Sequence, residues 1–154
     1  MIDDIDLKIL KILQEKARIP NVEVARQVGM APSAVLERIR KLEKQGFIDG
    51  YEVRLNPKRF AKSLVAFVKV KIDKIGAEKK VGEKLSGIEQ VQEVHYVAGE
   101  DAFLVKIRAA DTEDLSRLIR DQIAAVGPVR STQTAIVLST YKETARIPIE
   151  IVSA

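Results

Sequence analysis

Four cations fall within seven residues: Arg38, Arg40, Lys41 and Lys44 in APSAVLERIRKLEKQG, residues 31–46. Guanidinium and ammonium groups at that density suit phosphate, which accepts charge-assisted hydrogen bonds whatever the base sequence. They are interleaved with Val35, Ile39 and Leu42. At about 100° per residue, those three apolar side chains lie within roughly 60° of one another, so the cations project from a helix that buries its other side. Pro32 opens the helix, because its fixed φ suits a first turn. Ser33 and Ala34 follow, small enough to let the backbone approach a groove closely. A solvated amphipathic surface is the plain alternative on charge alone. The sharper reading makes Pro32, Ser33, Ala34, Glu37, Arg38, Arg40, Lys41 and Lys44 a DNA-binding face. Ser33 and Ala34 would lie nearest the base edges, with Arg38, Arg40 and Lys41 also contacting the duplex.

A second constellation is VAGEDAF, residues 97–103. Glycine lets the chain approach a ligand. Neighbouring backbone amides hold a carboxylate, and an acidic side chain nearby pairs with an ammonium. An amino acid needs both. The candidate effector set is Val97, Gly99, Glu100, Asp101 and Ala102, with Thr132 or Thr134 across. A hairpin turn without a ligand is the competing reading, and Thr132 and Thr134 are equally explained by β-propensity. His95, mid-strand beside Tyr96, reads as a sheet or interface residue.

Other chemistry is poorly supplied. The chain has no cysteine and one histidine, which leaves out disulfides and thiolate metal sites. It carries no phosphate-binding glycine motif and no carboxylate pair spaced beside a nucleophile. We therefore expect no catalytic residues, no metal and no cofactor. Two rival readings stand beside a DNA-binding regulator: a ligand-sensing, oligomerising module without a DNA role, and a small enzyme on a permissive fold.

Elements must position these residues. Ile5, Ile9, Ile12 and Leu13 recur at helical spacing, with Asp3, Asp4 and Asp6 at the positive end of the helix dipole. Arg18-Ile19-Pro20-Asn21 breaks that pattern, and Asn21 is expected to cap a second helix. Gly29 ends it, so the basic helix becomes the second helix of a helix-turn-helix. Residues 47–54 read as a short strand and 55–58 as a turn. From Leu64 the period becomes 2: strands are expected near 64–72, 90–98, 102–109 and 130–140, with helices near 76–86 and 115–126. The β-α-β-β-α-β order is a ferredoxin-like split βαβ arrangement. The fold class is α+β: a helix-turn-helix at residues 1–50, a strand or linker at 51–63, and a ferredoxin-like domain at 64–154. The tail, residues 146–152, is apolar enough to seek a partner surface.

The 154 residues carry a net charge of +4. Residues 1–62 hold 13 Lys/Arg and 9 Asp/Glu, while the remainder is neutral, so the excess charge accompanies the helix-turn-helix. No apolar run approaches the roughly 20 residues of a membrane span, and the acidic start is unlike a signal peptide. A cytoplasmic location with no membrane partner is the expectation.

The stretch DLKILKILQEKAR…VARQVGMAPSAVLERIRKLEKQGFIDGY, followed by a βαββαβ domain with VAGEDAFLVKIRA, resembles the Lrp/AsnC family, the leucine-responsive or feast/famine transcriptional regulators of bacteria and archaea. Its most specific part is V-x-x-R-I-x-x-L-E-x-x-G-x-I, from Val35 to Ile48. The resemblance implies that the helix-turn-helix is of the winged type with double-stranded DNA as partner, that 51–63 is a hinge strand or linker, and that 64–154 is an effector-binding and oligomerisation domain that forms a homodimer through its sheet. It also implies assembly of dimers into an octamer in some members, and an amino-acid effector held between dimers. Two positions depart from the family pattern. Ala31 stands where Ser usually precedes the proline, at a cost of about 1 kcal/mol in lost capping. Ala102 stands where the family carries aspartate before the aromatic-aliphatic strand. The expectation is therefore weaker or altered selectivity for free amino acids, with Glu100 or Asp101 as the substitute acid.

Overall fold

Asp3-Asp4-Ile5-Asp6 sets how the first helix begins. In the computed structural model, which describes residues 2–151, the Asp3 carboxylate accepts the Asp6 N–H at 2.9 Å, and the Asp6 carboxylate accepts the Asp3 N–H at 3.2 Å. This reciprocal box satisfies two amides that the helix cannot. Helix α1 runs Asp4–Glu15, α2 Asn21–Val28 and α3 Pro32–Lys44. Ile9 from α1, Val24 and Ala25 from α2, and Val35, Ile39 and Leu42 from α3 form one buried cluster. The seam read from the sequence is thus the packed seam.

Asn21 is not the cap of α2. It is the first helical residue, and Pro20 is the cap, with an extended backbone and no side-chain bond. The Pro20 carbonyl accepts the Glu23 and Val24 N–H groups at 2.9 and 3.1 Å. Proline is suited to the role because the cap position supplies a carbonyl and needs no donor. At the other end Gly29 lies at φ +70, and the Met30 N–H closes onto the Ala25 carbonyl at 3.0 Å. A Cβ on Gly29 would meet nothing within 4 Å, so backbone strain alone sets the cost of a side chain. Gly29→Ala is expected to destabilise by about 1 kcal/mol, read as a lower denaturation midpoint at unchanged slope. An unaltered midpoint would show that the turn relaxes.

Residues 47–54 do not form the expected strand; no strand lies between α3 and a 3-10 turn at Pro57–Phe60 among the described residues. The alternation of Tyr51, Val53 and Leu55 is strand-like, but its backbone has no neighbouring strand, and all three side chains are exposed. The 3-10 turn replaces the turn expected at 55–58, with the Asn56 side chain accepting the Lys58 N–H at 3.1 Å.

The second unit follows the β-α-β-β-α-β order: β1 Leu64–Ile72, α4 Glu78–Ser86, β2 Val91–Val97, β3 Ala102–Ala109, α5 Thr112–Leu118 and β4 Val129–Ile136. The strand order is β2-β3-β1-β4, with every neighbouring pair antiparallel. One face is closed: Ala66, Val68, Val70, Phe103, Val105 and Ile107 cluster with Val81 and Leu85 of α4 and Leu115 and Leu118 of α5. The helix expected to run on to residue 126 stops at Leu118. It passes into a π-helical turn, Ile119–Ile123, where the Ala124 N–H reaches the Ile119 carbonyl at 2.8 Å. β4 ends at Ile136, short of the expected residue 140.

The tail also departs from expectation. Gln14 Nε2 donates to the Ile147 carbonyl at 2.8 Å, and the Ile147 N–H donates to Gln14 Oε1 at 2.7 Å. A side-chain amide here takes the place of a strand neighbour. The chain accordingly divides into Met1–Arg54 with Glu143–Ala154, and Leu55–Lys142, rather than keeping 143–154 with the sheet. Residues 152–154 lie outside the described residues.

Candidate functional site

The buried seam of α3 fixes what its other side presents. Val35 and Leu42 are almost wholly enclosed and Ile39 nearly so. Ser33, Glu37, Arg40, Lys41 and Lys44 are all exposed, and at helical spacing they occupy roughly 100° of arc opposite that seam. Ala34 sits half-buried at its edge, and Pro32 is exposed at the tip. Arg40, Lys41 and Lys44 make no ion pair among the described residues, which leaves their charge available to an external anion. Ala31 supplies no side-chain cap, so the first amides of α3, at the positive end of the helix dipole, have no side-chain partner at the cap.

Arg38 stands apart from this stripe. Its Nη1 donates to Asp3 Oδ2 and to Asp6 Oδ1, both at 2.8 Å. The Asp6 side chain is 8% exposed and that of Arg38 28%. The Asp6 N–H bond, and then the Arg38 guanidinium, hold the Asp3 carboxyl below the usual aspartate range. Arg38 is raised, first by Asp6 and then by Asp3. Because the Asp3 value is depressed, its contribution is complete above the ordinary aspartate pKa and is lost as pH falls through the lowered one. Helix-dipole placement is the one role that the sequence analysis assigns to Asp3 and Asp6. Their three-residue spacing was a signal for the capping box; nothing local marked the partner 32 residues on. Glu43 on α3 accepts the Tyr51 hydroxyl at 2.9 Å. Desolvation, then this bond, pushes the phenol up to about 12.

The hairpin forms where expected, with Val97 paired to Ala102 across it. Gly99 lies at φ +99 and Asp101 at φ +47. Both are left-handed, a conformation that glycine accepts freely and aspartate tolerates. Glu100 is engaged: Lys69 Nζ lies 2.6 Å from its carboxylate and lowers its pKa. Strand alternation puts Val97 and Ala102 on the face opposite Phe103, the face the helices leave open. Thr132 and Thr134 pair with the buried Val70 and Val68, so they lie on the helix side. They are also on the far edge strand, three strand spacings or roughly 14 Å from β2. The seven candidate effector residues therefore do not converge within one chain.

The open face carries Phe67, Leu104 and Val97, each more than a third exposed. Among them lies a polar group that the sequence did not assemble: Glu93 accepts from His95 at 3.2 Å and faces Lys106 Nζ at 3.5 Å. The His95 bond, then the Lys106 charge, hold Glu93 below the usual carboxylate range. Among the described residues no cluster of ligating side chains suits a metal ion, and no helix is long and apolar enough to cross a membrane.

Residues 65–147 match the Lrp/AsnC ligand binding domain, and residues 2–49 match a winged helix-turn-helix DNA-binding family. The leucine-responsive regulatory protein of Escherichia coli strain K12 is 34% identical over 151 residues, covering 97% of this chain and 92% of that protein. A transcriptional regulator of Neisseria meningitidis, solved with L-Met, superposes with a TM-score of 0.91 at 30% identity, over 96% of this chain and 97% of that one. The feast or famine regulatory protein of M. tuberculosis, complexed with L-methionine, superposes at 0.89 with 31% identity, over 97% and 100%.

Proposed function

We propose, on the premise that this chain belongs to the Lrp/AsnC family of DNA-binding transcriptional regulators, that α3 is the recognition helix and the sheet unit is an amino-acid-responsive assembly module. The single observation that carries the first half is the exposed stripe of Ser33, Glu37, Arg40, Lys41 and Lys44 opposite a fully packed seam. Pro32, Ser33 and Ala34 meet the base edges of double-stranded DNA in the major groove, and the cations grip phosphates on either side. The helices within residues 1–50 read DNA, residues 51–63 act as the hinge, and the sheet from residue 64 on assembles. A regulator of this kind works in the cytoplasm.

The protein functions as a homodimer. Support comes from the open sheet face with Phe67, Leu104 and Val97, and from the extended segment that exposes Tyr51, Val53 and Leu55. Contiguous apolar side chains of this kind seek a partner surface. Dimers assemble further, to an octamer, when a second copy completes the site that one chain leaves open. The hairpin Gly99-Glu100-Asp101 then meets groups from another protomer around an amino acid, and Thr132 and Thr134 belong to that assembled site only across copies. Two relatives bind L-Met in their solved structures, which makes methionine the first amino acid to test.

Calorimetry with the twenty amino acids tests the effector half. At least one is expected to bind wild type and shift its assembly state on sizing. Gly99→Val, which forces a branched side chain to φ +99, is expected to abolish both responses while duplex binding persists. Binding by none of the twenty to wild type would leave the turn as a hairpin and assembly contact.

A further inference from the structure

Arg38 sits in the middle of the recognition helix but off its exposed stripe, bonded to Asp3 and Asp6. We infer that Arg38 is a positioning residue, not a phosphate contact: with Asp3 and Asp6 it forms a clamp that fixes the orientation of α3 against the start of α1. This inference rests on the reading of α3 as the recognition helix.

The network is closed. Asp3 Oδ1 accepts the Asp6 N–H and Asp3 Oδ2 accepts Arg38. Asp6 Oδ2 accepts the Asp3 N–H and Asp6 Oδ1 accepts Arg38. All four carboxylate oxygens are thus engaged, and the same two side chains cap α1 and hold α3. The burial is uneven. Asp3 is half-exposed while the Asp6 side chain is 8% exposed, so Asp6 depends on Arg38 for compensation of its charge. If Arg38 swung out to a phosphate, a nearly buried carboxylate would be stranded, which is the costly way to break an ion pair. Phase agrees: Arg38 lies some 60° of arc beyond Lys41, off the edge of the exposed stripe.

The two roles predict opposite consequences for the acid. If Arg38 served phosphate, Asp3 and Asp6 would compete with DNA for it. Removing either charge would then tighten binding, as removing a negative charge near a polyanion generally does. If Arg38 orients α3, removing the acid loosens the helix that must fit the groove, and binding weakens.

Duplex affinity is measured over a salt series for Arg38→Ala, Asp6→Asn, their double variant and Lys41→Ala, using the full chain. Each is first shown to retain wild-type far-ultraviolet dichroism at the titration temperature. The milder Asp3→Asn, at the exposed corner of the clamp, stands in if Asp6→Asn fails to fold. The clamp predicts about tenfold weaker binding for Arg38→Ala and for Asp6→Asn, with the double variant no weaker than either, because all three open one network. The salt slope stays at the wild-type value in all three. Lys41→Ala, in contrast, lowers the slope by about 0.9 per protomer. Tighter binding by Asp6→Asn, or a slope lowered by about 0.9 per protomer in Arg38→Ala, overturns the clamp while leaving the recognition helix in place. A Lys41→Ala variant that binds duplex with wild-type affinity and slope overturns the recognition-helix reading, and the clamp with it.

Discussion

Replacing Arg40, Lys41 and Lys44 together by alanine is expected to weaken binding to any duplex by on the order of a hundredfold at moderate salt, and to reduce the salt slope by about 2.7 per protomer. The expectation follows from position. These three cations lie on the exposed stripe of α3 with no ion pair among the described residues, so each can displace one condensed counterion, and their loss leaves the buried seam untouched. The effect should fall equally on specific and random DNA, because phosphates carry no sequence. Ser33, at the tip of the same stripe, should behave differently: a larger polar residue there alters site preference with the slope unchanged. Filter binding or fluorescence anisotropy over a salt series separates the two. A triple variant that stays folded and keeps its affinity would remove α3 from the interface.

Ile9→Ala is expected to have the largest effect on stability, and an uneven one. Ile9 is wholly enclosed among Val24, Val35, Ile39 and Leu42. Truncating such a side chain costs about 2–5 kcal/mol, through lost transfer energy and the cavity left behind. A unit of some sixty residues has a stability of only about 3–9 kcal/mol in total. The substitution therefore takes most of what holds the helices together, and a partly unfolded α3 cannot present the stripe proposed to meet DNA. The sheet unit has its own cluster, centred on Val68, Val70, Val105 and Ile107, and should keep its fold and the assembly proposed for it. Helical dichroism and DNA affinity should fall while the sizing profile holds. Loss of assembly in step with helicity would show that the two units unfold together.

The sequence was most legible where one period ran long enough to repeat. Leu64 to Ile72 alternates cleanly, and β1 has those bounds; β3 matches residues 102–109 in the same way. Val35, Ile39 and Leu42 were read as a seam because three residues at helical spacing exclude a strand. Legibility failed where the deciding partner was distant or belonged to another element. Tyr51, Val53 and Leu55 have the alternation of a strand but no hydrogen-bonded neighbour, and alternation alone does not make a sheet. Asn21 is a better side-chain cap than proline, yet Pro20 takes the position because its carbonyl already faces the helix. The attachment of the tail through Gln14 and Ile147 spans 133 residues and leaves no local pattern. For the same reason nothing local in the sequence joins Arg38 to Asp3 and Asp6, and its type alone groups it with Arg40 and Lys41. In the hairpin, the turn itself was legible from Gly99. Which face each side chain takes, and that Thr132 sits on the far edge, became clear only with the strand order.

That strand order has a consequence for how the chain is made. β1 lies between β3 and β4, both of which are synthesised after it. Its nearer partner begins at Ala102 and its other at Val129, so no ladder can form on either side when Ile72 leaves the ribosome. At about 5–20 residues per second, β1 waits roughly 2–6 s for β3 and a few seconds more for β4. During that interval LVAFVKVKI is an apolar, β-prone segment with both edges unpaired, the kind that pairs with other nascent chains. Lys69 and Lys71 interrupt it on the face opposite the buried Val68 and Val70, where they cost the helix-covered core nothing. They are placed as gatekeeper residues are, so their replacement by valine is expected to raise the insoluble fraction on expression more than it changes the stability of the folded protein.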